Sequence, residues 1–172
     1  MKIELKSIKV FEAMSEETTA FYANVYIDGK HRGYAKDDGR GGCIDIRPEY
    51  SKDETIWKAN QQAMQEAHAY CEALPPIKYR DTELNNNLEM VVGELLEKFL
   101  DAKADKKFIK DMDKGLLFGT KNNYSMIYWT NTTVVALLQN TIGRARIKKI
   151  CAEKKAEGKV LLNTNIPAEL LN

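Results

Sequence analysis

The chain has 172 residues, with 26 Lys or Arg, 25 Asp or Glu and two His, so its formal charge at neutral pH is +1. That balance excludes a generic polyanion binder. With 44% hydrophobic and 30% charged residues, four Pro and ten Gly, the composition is that of a folded domain, not of a disordered, collagen-like or membrane chain.

The first fifty residues read as a β-meander. From Ile3 to Val10 the apolar positions are 3 and 5, then 8 and 10, so the period of two slips around Ser7 and predicts a bulge. Thr19, Phe21, Ala23, Val25 and Ile27 form an apolar face that ends at Asp28-Gly29, a dipeptide suited to a two-residue hairpin turn. Such a turn pairs Ile27 with Lys30, Tyr26 with His31 and Tyr22 with Ala35. Tyr22, Tyr26 and His31 then share the face opposite the apolar one. They are candidates for a stacking platform for bases or a partner's side chains, against the alternative of Tyr decorating a half-exposed strand. Asp37-Asp38-Gly39-Arg40-Gly41-Gly42 follows, and Gly39, Arg40, Gly41 and Gly42 form a candidate ligand loop. Because it leads from strand to strand and carries two Asp, it departs from phosphate loops that open a helix. A mobile hairpin tip is the plainer reading.

Ser51-Lys52-Asp53-Glu54 has the spacing of a capping box, and Pro75-Pro76 ends the helix that follows. Ile56, Ala63, Ala67, Tyr70, Cys71 and Leu74 lie on its expected apolar stripe. A polar stretch from Lys78 to Asn87 leads to Leu84, Leu88, Val91, Val92, Leu95 and Phe99, an amphipathic helix that Phe108, Ile109 and Met112 extend to a stop at Gly115. Leu116 to Phe118 and Met126 to Trp129 predict a second hairpin around Gly119 to Asn123. A last helix is expected over about Val134 to Glu157, weakest at Gly143, then a short strand Val160 to Leu162. The fold class is therefore α+β: a β-β-β-α lobe over 1–76 and an α-β-β-α-β lobe over 77–172, or both in one compact domain.

Three separated cysteines, Cys43, Cys71 and Cys151, with no Cys-x-x-Cys, fit a reducing cytoplasm. The Lys-rich start MKIELKSIKV lacks a signal peptide's pattern, no membrane contact is expected, and the Asn123 and Asn131 sequons read as polar loop residues. His68 and Cys71 stand three apart on a helix but lack two further zinc ligands nearby, so neither metal nor cofactor is expected. His31 and Cys43 would be roughly 16 Å apart across a simple hairpin, too far for a nucleophilic pair. Glu4-Leu5-Lys6 and Glu157-Gly158-Lys159 match part of a nuclease pattern, but the first lacks a preceding acid and the second falls at a helix end. No Walker, Rossmann, EF-hand or Gly-x-Ser-x-Gly motif occurs, and the chain is expected not to be an enzyme.

Charge is uneven. Residues 1–86 carry 12 basic and 15 acidic residues, and 87–172 carry 14 and 10. Arg144, Arg146, Lys148, Lys149 and Lys155 make the last helix a candidate surface for nucleic acid or an acidic protein, against the alternative of a solvated face.

The segments Ala23 to Lys30, Asp37 to Gly42 and Leu162 to Pro167 resemble uncharacterised small proteins of bacteria, bacteriophages and mobile elements. The resemblance implies a cytoplasmic accessory protein and carries no functional residue. The β-β-β-α order is also similar to small sheet-based DNA-binding modules of some mobile-element integrases. The reading that follows is a non-enzymatic binding protein, a phage or mobile-element accessory factor that modulates a host protein or defence complex. The alternatives are a nucleic-acid-binding module using the basic helix and the Tyr face, and capture of a nucleotide-like small molecule at the Gly-rich loop.

Overall fold

Alternation of apolar and polar residues builds the first element of the computed structural model, which describes residues 1–79 and 82–171. Strands β1 (Ile3–Val10), β2 (Phe21–Ile27), β3 (Lys30–Asp37) and β4 (Asp45–Pro48) form one antiparallel sheet in chain order. Phe21, Ala23, Val25 and Ile27 of β2 and Ala35 of β3 are buried, so one face makes core. Asp28 and Gly29 both take positive φ, as the two-residue turn requires. The expected bulge in β1 is present: Ser7 has a φ of 52°, and the pairing jumps from Lys6–Asn24 to Lys9–Tyr22.

A second bulge was not foreseen and corrects the register. Tyr26 pairs with His31, but Val25 pairs with Gly33, so Arg32 is an extra residue and Tyr22 lies opposite Lys36, not Ala35. The cause lies across the core face, where a side chain on Gly33 would collide with the Arg47 carbonyl and the Met64 methyl. Burying Gly33 and Ala35 therefore turns Tyr34 and Lys36 to the other side. Further along, Lys36 pairs with Asp45, because the loop after β3 is longer than a simple hairpin.

Helix α1 (Glu54–Glu72) lies against β3 and β4. Its N-cap is Asp53, whose carboxylate accepts from the Thr55 and Ile56 N–H groups at 2.8 and 3.2 Å, while Ser51 Oγ accepts from Asp53 N–H. The cap is thus one Asp and not the expected Ser box. The buried stripe is Asn60, Met64, Ala67 and Cys71, and Ile56 and Tyr70 of the expected stripe are exposed. Asn60 sets that phase: its Oδ1 accepts from Arg32 Nη1 at 3.1 Å and its Nδ2 donates to the Glu49 carbonyl at 2.9 Å.

The stretch expected as a polar connector holds strands β5 (Ile77–Tyr79) and β6 (Thr82–Leu84), while Arg80 and Asp81 lie outside the described residues. Leu84 belongs to that hairpin and is exposed, so the amphipathic run starts at Leu88. Helix α2 (Leu88–Lys114) is one helix of 27 residues, with Asn87 Oδ1 accepting from Met90 N–H at its start.

Two compact units divide inside α2: Met1–Phe99, and the residues from Leu100 on. In the second, β7 (Gly115–Thr120) and β8 (Asn123–Tyr128) form the expected hairpin with a shorter turn. The expected strand at 160–162 makes a single bridge, Leu161 to Phe118. The expected last helix is two: α3 (Val134–Leu138) and α4 (Thr141–Ala156), each capped, by Thr133 and Asn140. Gly143 is not the break. It lies in the first turn of α4, where a methyl group would overlap the Leu137 backbone, so it lets the two helices close on each other. Leu116, Phe118, Val134, Ile147, Cys151, Ile166 and Leu170 form this unit's core.

Candidate binding face and hollow

The sheet face away from α1 is composed by register. Reading across the strands, one row is Lys9, Tyr22, Lys36 and Asp45, the next is Lys6, Asn24, Tyr34 and Arg47, and the third is Glu4, Tyr26 and His31. All are exposed or half-buried. Their rings associate: Tyr22 and Tyr34 stack at 5.8 Å between centroids, and Tyr26 and His31 at 5.3 Å. Lys6 Nζ stands 4.2 Å from the Tyr26 centroid. Tyr22, Tyr26 and His31 thus share one face, as expected, and the Arg32 bulge adds Tyr34 and Lys36 to it.

The polar groups of the face mostly hold the sheet itself. His31 Nε2 lies 3.0 Å from the Gly33 carbonyl and 4.0 Å from Glu49. Arg47 Nε donates to Asp45 at 2.7 Å, and Lys36 approaches the same carboxylate at 3.5 Å. The Arg47 hydrogen bond holds the Asp45 carboxyl below its ordinary range, and the Arg47 and Lys36 charges act in the same direction. Lys9 has no side-chain partner among the described residues.

At the end of the first row the face sinks into a hollow of about 740 Å³ lined by Lys9, Phe11, Met14, Tyr22, Lys36, Asp38, Gly42 and Cys43, with Phe21, Asp37 and Asp45. One wall is the segment after β1, whose 3-10 turn Glu12–Met14 leaves Phe11 42% and Met14 53% exposed. The other is the Gly-rich loop, which is tied down and is no free hairpin tip. The Gly39 carbonyl accepts from the N–H groups of Glu16, Glu17 and Thr18 at 2.9, 2.9 and 3.3 Å. Asp37 Oδ1 accepts from Thr18 Oγ1 at 2.8 Å and from Gly39 N–H at 2.7 Å. Gly39, buried at a φ of 86°, has no room for a side chain beside the Met14 carbonyl. Of the candidate loop, Gly42 lines the hollow; Gly39 is structural, and Arg40 and Gly41 are exposed beside it.

The basic residues of α4 belong to the other unit. Arg144 donates to Glu169 at 2.8 Å, the Arg146 guanidinium stands 5.7 Å from the Trp129 ring, and Lys149 lies 3.9 Å from Glu153. Lys148 and Lys155 flank a shallow hollow with Ala152, Leu170 and Leu171. Among the described residues, no three His, Cys, Asp or Glu side chains gather as a metal site, and His68 is exposed while Cys71 is buried. No helix among them is long and apolar enough to cross a membrane.

Lys9, Phe11, Met14, Tyr34 and Lys36 escaped the sequence reading. The small residues Gly33 and Ala35, alternating with Tyr34 and Lys36, were the available signal that β3 turns inward at 33 and 35. No protein-family model, curated protein or solved structure matches the chain.

Proposed function

We propose that this chain is a non-catalytic binding protein whose working surface is the open face of the N-terminal sheet, and that its partner is a protein. The observation that supports this reading is the double ring stack, Tyr22 with Tyr34 and Tyr26 with His31, on an exposed sheet face. Preformed aromatic pairs offer broad contact area with little side-chain entropy left to lose. The imidazole and the Asp45 carboxylate on that face are engaged with neighbouring groups of the sheet, which suits a contact surface better than proton transfer. On this reading the partner is a host protein or defence complex that the chain modulates, the setting that the resemblance to small phage and mobile-element proteins implies.

The test is affinity capture from a bacterial lysate with the native chain and with Tyr26→Ala, Tyr34→Ala and Arg47→Glu, each checked for an unchanged melting temperature. Saturable capture of a protein by the native chain, lost in the three variants, is the expected result. Equal capture by all four, or no saturable partner, overturns it.

A second reading, nucleic-acid binding, is favoured by Lys6 over the Tyr26 ring and by four cations against two carboxylates on the face. It transfers the charge contact from α4 to the sheet. Oligonucleotide binding that falls steeply with salt and is lost in Lys6→Glu but kept in Lys148→Glu supports it; the reverse pattern returns it to the helix.

A further inference from the structure

The hollow at the end of the first row has a composition that the rest of the face lacks. Its floor is one half-buried ring, Tyr22, with a lysine on the adjoining strand at either side, Lys9 and Lys36. Its wall presents Phe11 and Met14, apolar side chains 42% and 53% exposed. At its end, the exposed Asp38 uses one carboxylate oxygen for the Arg40 N–H at 3.3 Å, and no partner occupies the second among the described residues. About 740 Å³ is within the range of small-molecule sites, roughly 300 to 1,000 Å³.

A ring flanked by two ammonium groups asks for a planar ring carrying an anion. We propose that this hollow holds a nucleotide unit, its base stacked on Tyr22 against Phe11 and Met14 and its phosphate between Lys9 and Lys36. Three aspartates stand nearby, matched in number by Lys9, Lys36 and Arg47. Asp37 is occupied by Thr18 and Gly39, and Asp45 by Arg47. Asp38 stands free to accept from ribose hydroxyls or an exocyclic amine, which a simple aromatic acid would not supply. Lys36 approaches Asp45 only at 3.5 Å, a loose pair that can be shared with a phosphate. The proposal goes beyond the partner reading and does not need it: its variants are at Tyr22 and Lys9, while of the partner variants Tyr34 stacks on Tyr22, Arg47 holds Asp45, and Tyr26 lies outside the lining.

The probes are AMP, GMP, CMP and UMP and a short single-stranded oligonucleotide, titrated into the full chain by calorimetry. Cys43 is a built-in reporter: it lines the hollow and is exposed, while Cys71 and Cys151 are buried. At least one probe is expected to bind saturably and to slow Cys43 alkylation by iodoacetamide. Tyr22→Ala then weakens binding about tenfold, Tyr22→Phe retains it, and Lys9→Glu reduces it several-fold. Equal affinity for mononucleotide and oligonucleotide assigns a free nucleotide as the source, and much tighter oligonucleotide binding assigns a strand. No saturable binding of any probe at millimolar concentration overturns the proposal, and so does binding unaffected by both Tyr22→Ala and Lys9→Glu. Because capture of a protein partner is read with different variants, failure here leaves that reading standing, and the converse holds.

Discussion

Asn163 is a polar side chain 7% exposed beside the β7–β8 hairpin, and every polar atom it has is used. Its Oδ1 accepts from Leu117 N–H at 2.6 Å, and its Nδ2 donates to the Met112 and Gly115 carbonyls at 3.0 and 2.9 Å. It therefore closes the backbone where α2 passes into β7. Asn163→Leu keeps the volume and removes the partner of the Leu117 N–H and one donor to each carbonyl, leaving Met112 only Asn165 at 3.2 Å, so a loss of about 2–3 kcal/mol is expected in urea unfolding. A loss within ordinary surface scatter would refute that role. Asp111 is a titratable counterpart on the same unit. Burial pushes its carboxyl up, but hydrogen bonds from Lys107 and Tyr124, with the Lys107 and Lys114 charges, outweigh this and hold it below its ordinary 3.8. A carboxyl lowered by folding stabilises the native state above its unfolded value and loses that contribution as pH falls through the native one. The melting temperature of the native chain should therefore exceed that of Asp111→Asn at neutral pH, and the gap should close below about pH 4.

The close approach of α3 to α4 and the open loop beside the hollow give a matched pair of glycine tests at the level of elements. Gly143→Ala drives a methyl group into the Leu137 backbone and is expected to cost about 2 kcal/mol or more, whereas Gly42→Ala meets nothing within 4 Å and should be nearly neutral. Equal melting temperatures for the two variants would mean that Gly143 is no contact point. The elements legible in the sequence were those fixed locally: the Asp28-Gly29 turn, the slip at Ser7, the β7–β8 hairpin and the long run of α2. Of those missed, the β3 bulge was fixed by tertiary neighbours and the α3–α4 break by a local cap. In Lys30 to Asp37 only the small size of Gly33 and Ala35 marks Arg32 as extra, because that strand is mostly polar and its inward side is chosen by Met64 above it. Between α3 and α4 the apolar period runs on, and only the capping contact of Asn140 with Gly143 N–H at 2.7 Å separates the helices. The site followed the same division. Tyr22, Tyr26, His31 and Gly42 were legible from one turn and one composition, whereas Lys9, Phe11, Met14 and Lys36 depend on two bulges and a loop tied by the Gly39 carbonyl.

Across the whole molecule, charge and cohesion follow the two units. The first holds 13 basic and 18 acidic residues and the second 13 and 7, so net charges of −5 and +6 nearly cancel in a chain of +1. Each unit has apolar side chains enough for its own core. Separate opening is then the expectation. Hydrogen exchange on Gly143→Ala should accelerate at Leu116 to Phe118 and Ile147 to Cys151 while Phe21 to Ile27 keep native rates; uniform acceleration would show one cooperative body. The Arg32 bulge has a consequence of its own kind. One additional peptide unit acts as a phase shifter for the rest of its strand, deciding which four side chains meet the outside world. Paired in register instead of looped out, Arg32 would leave composition and charge untouched, yet would exchange Tyr34 and Lys36 for Gly33 and Ala35 on the exterior and blank the proposed binding surface.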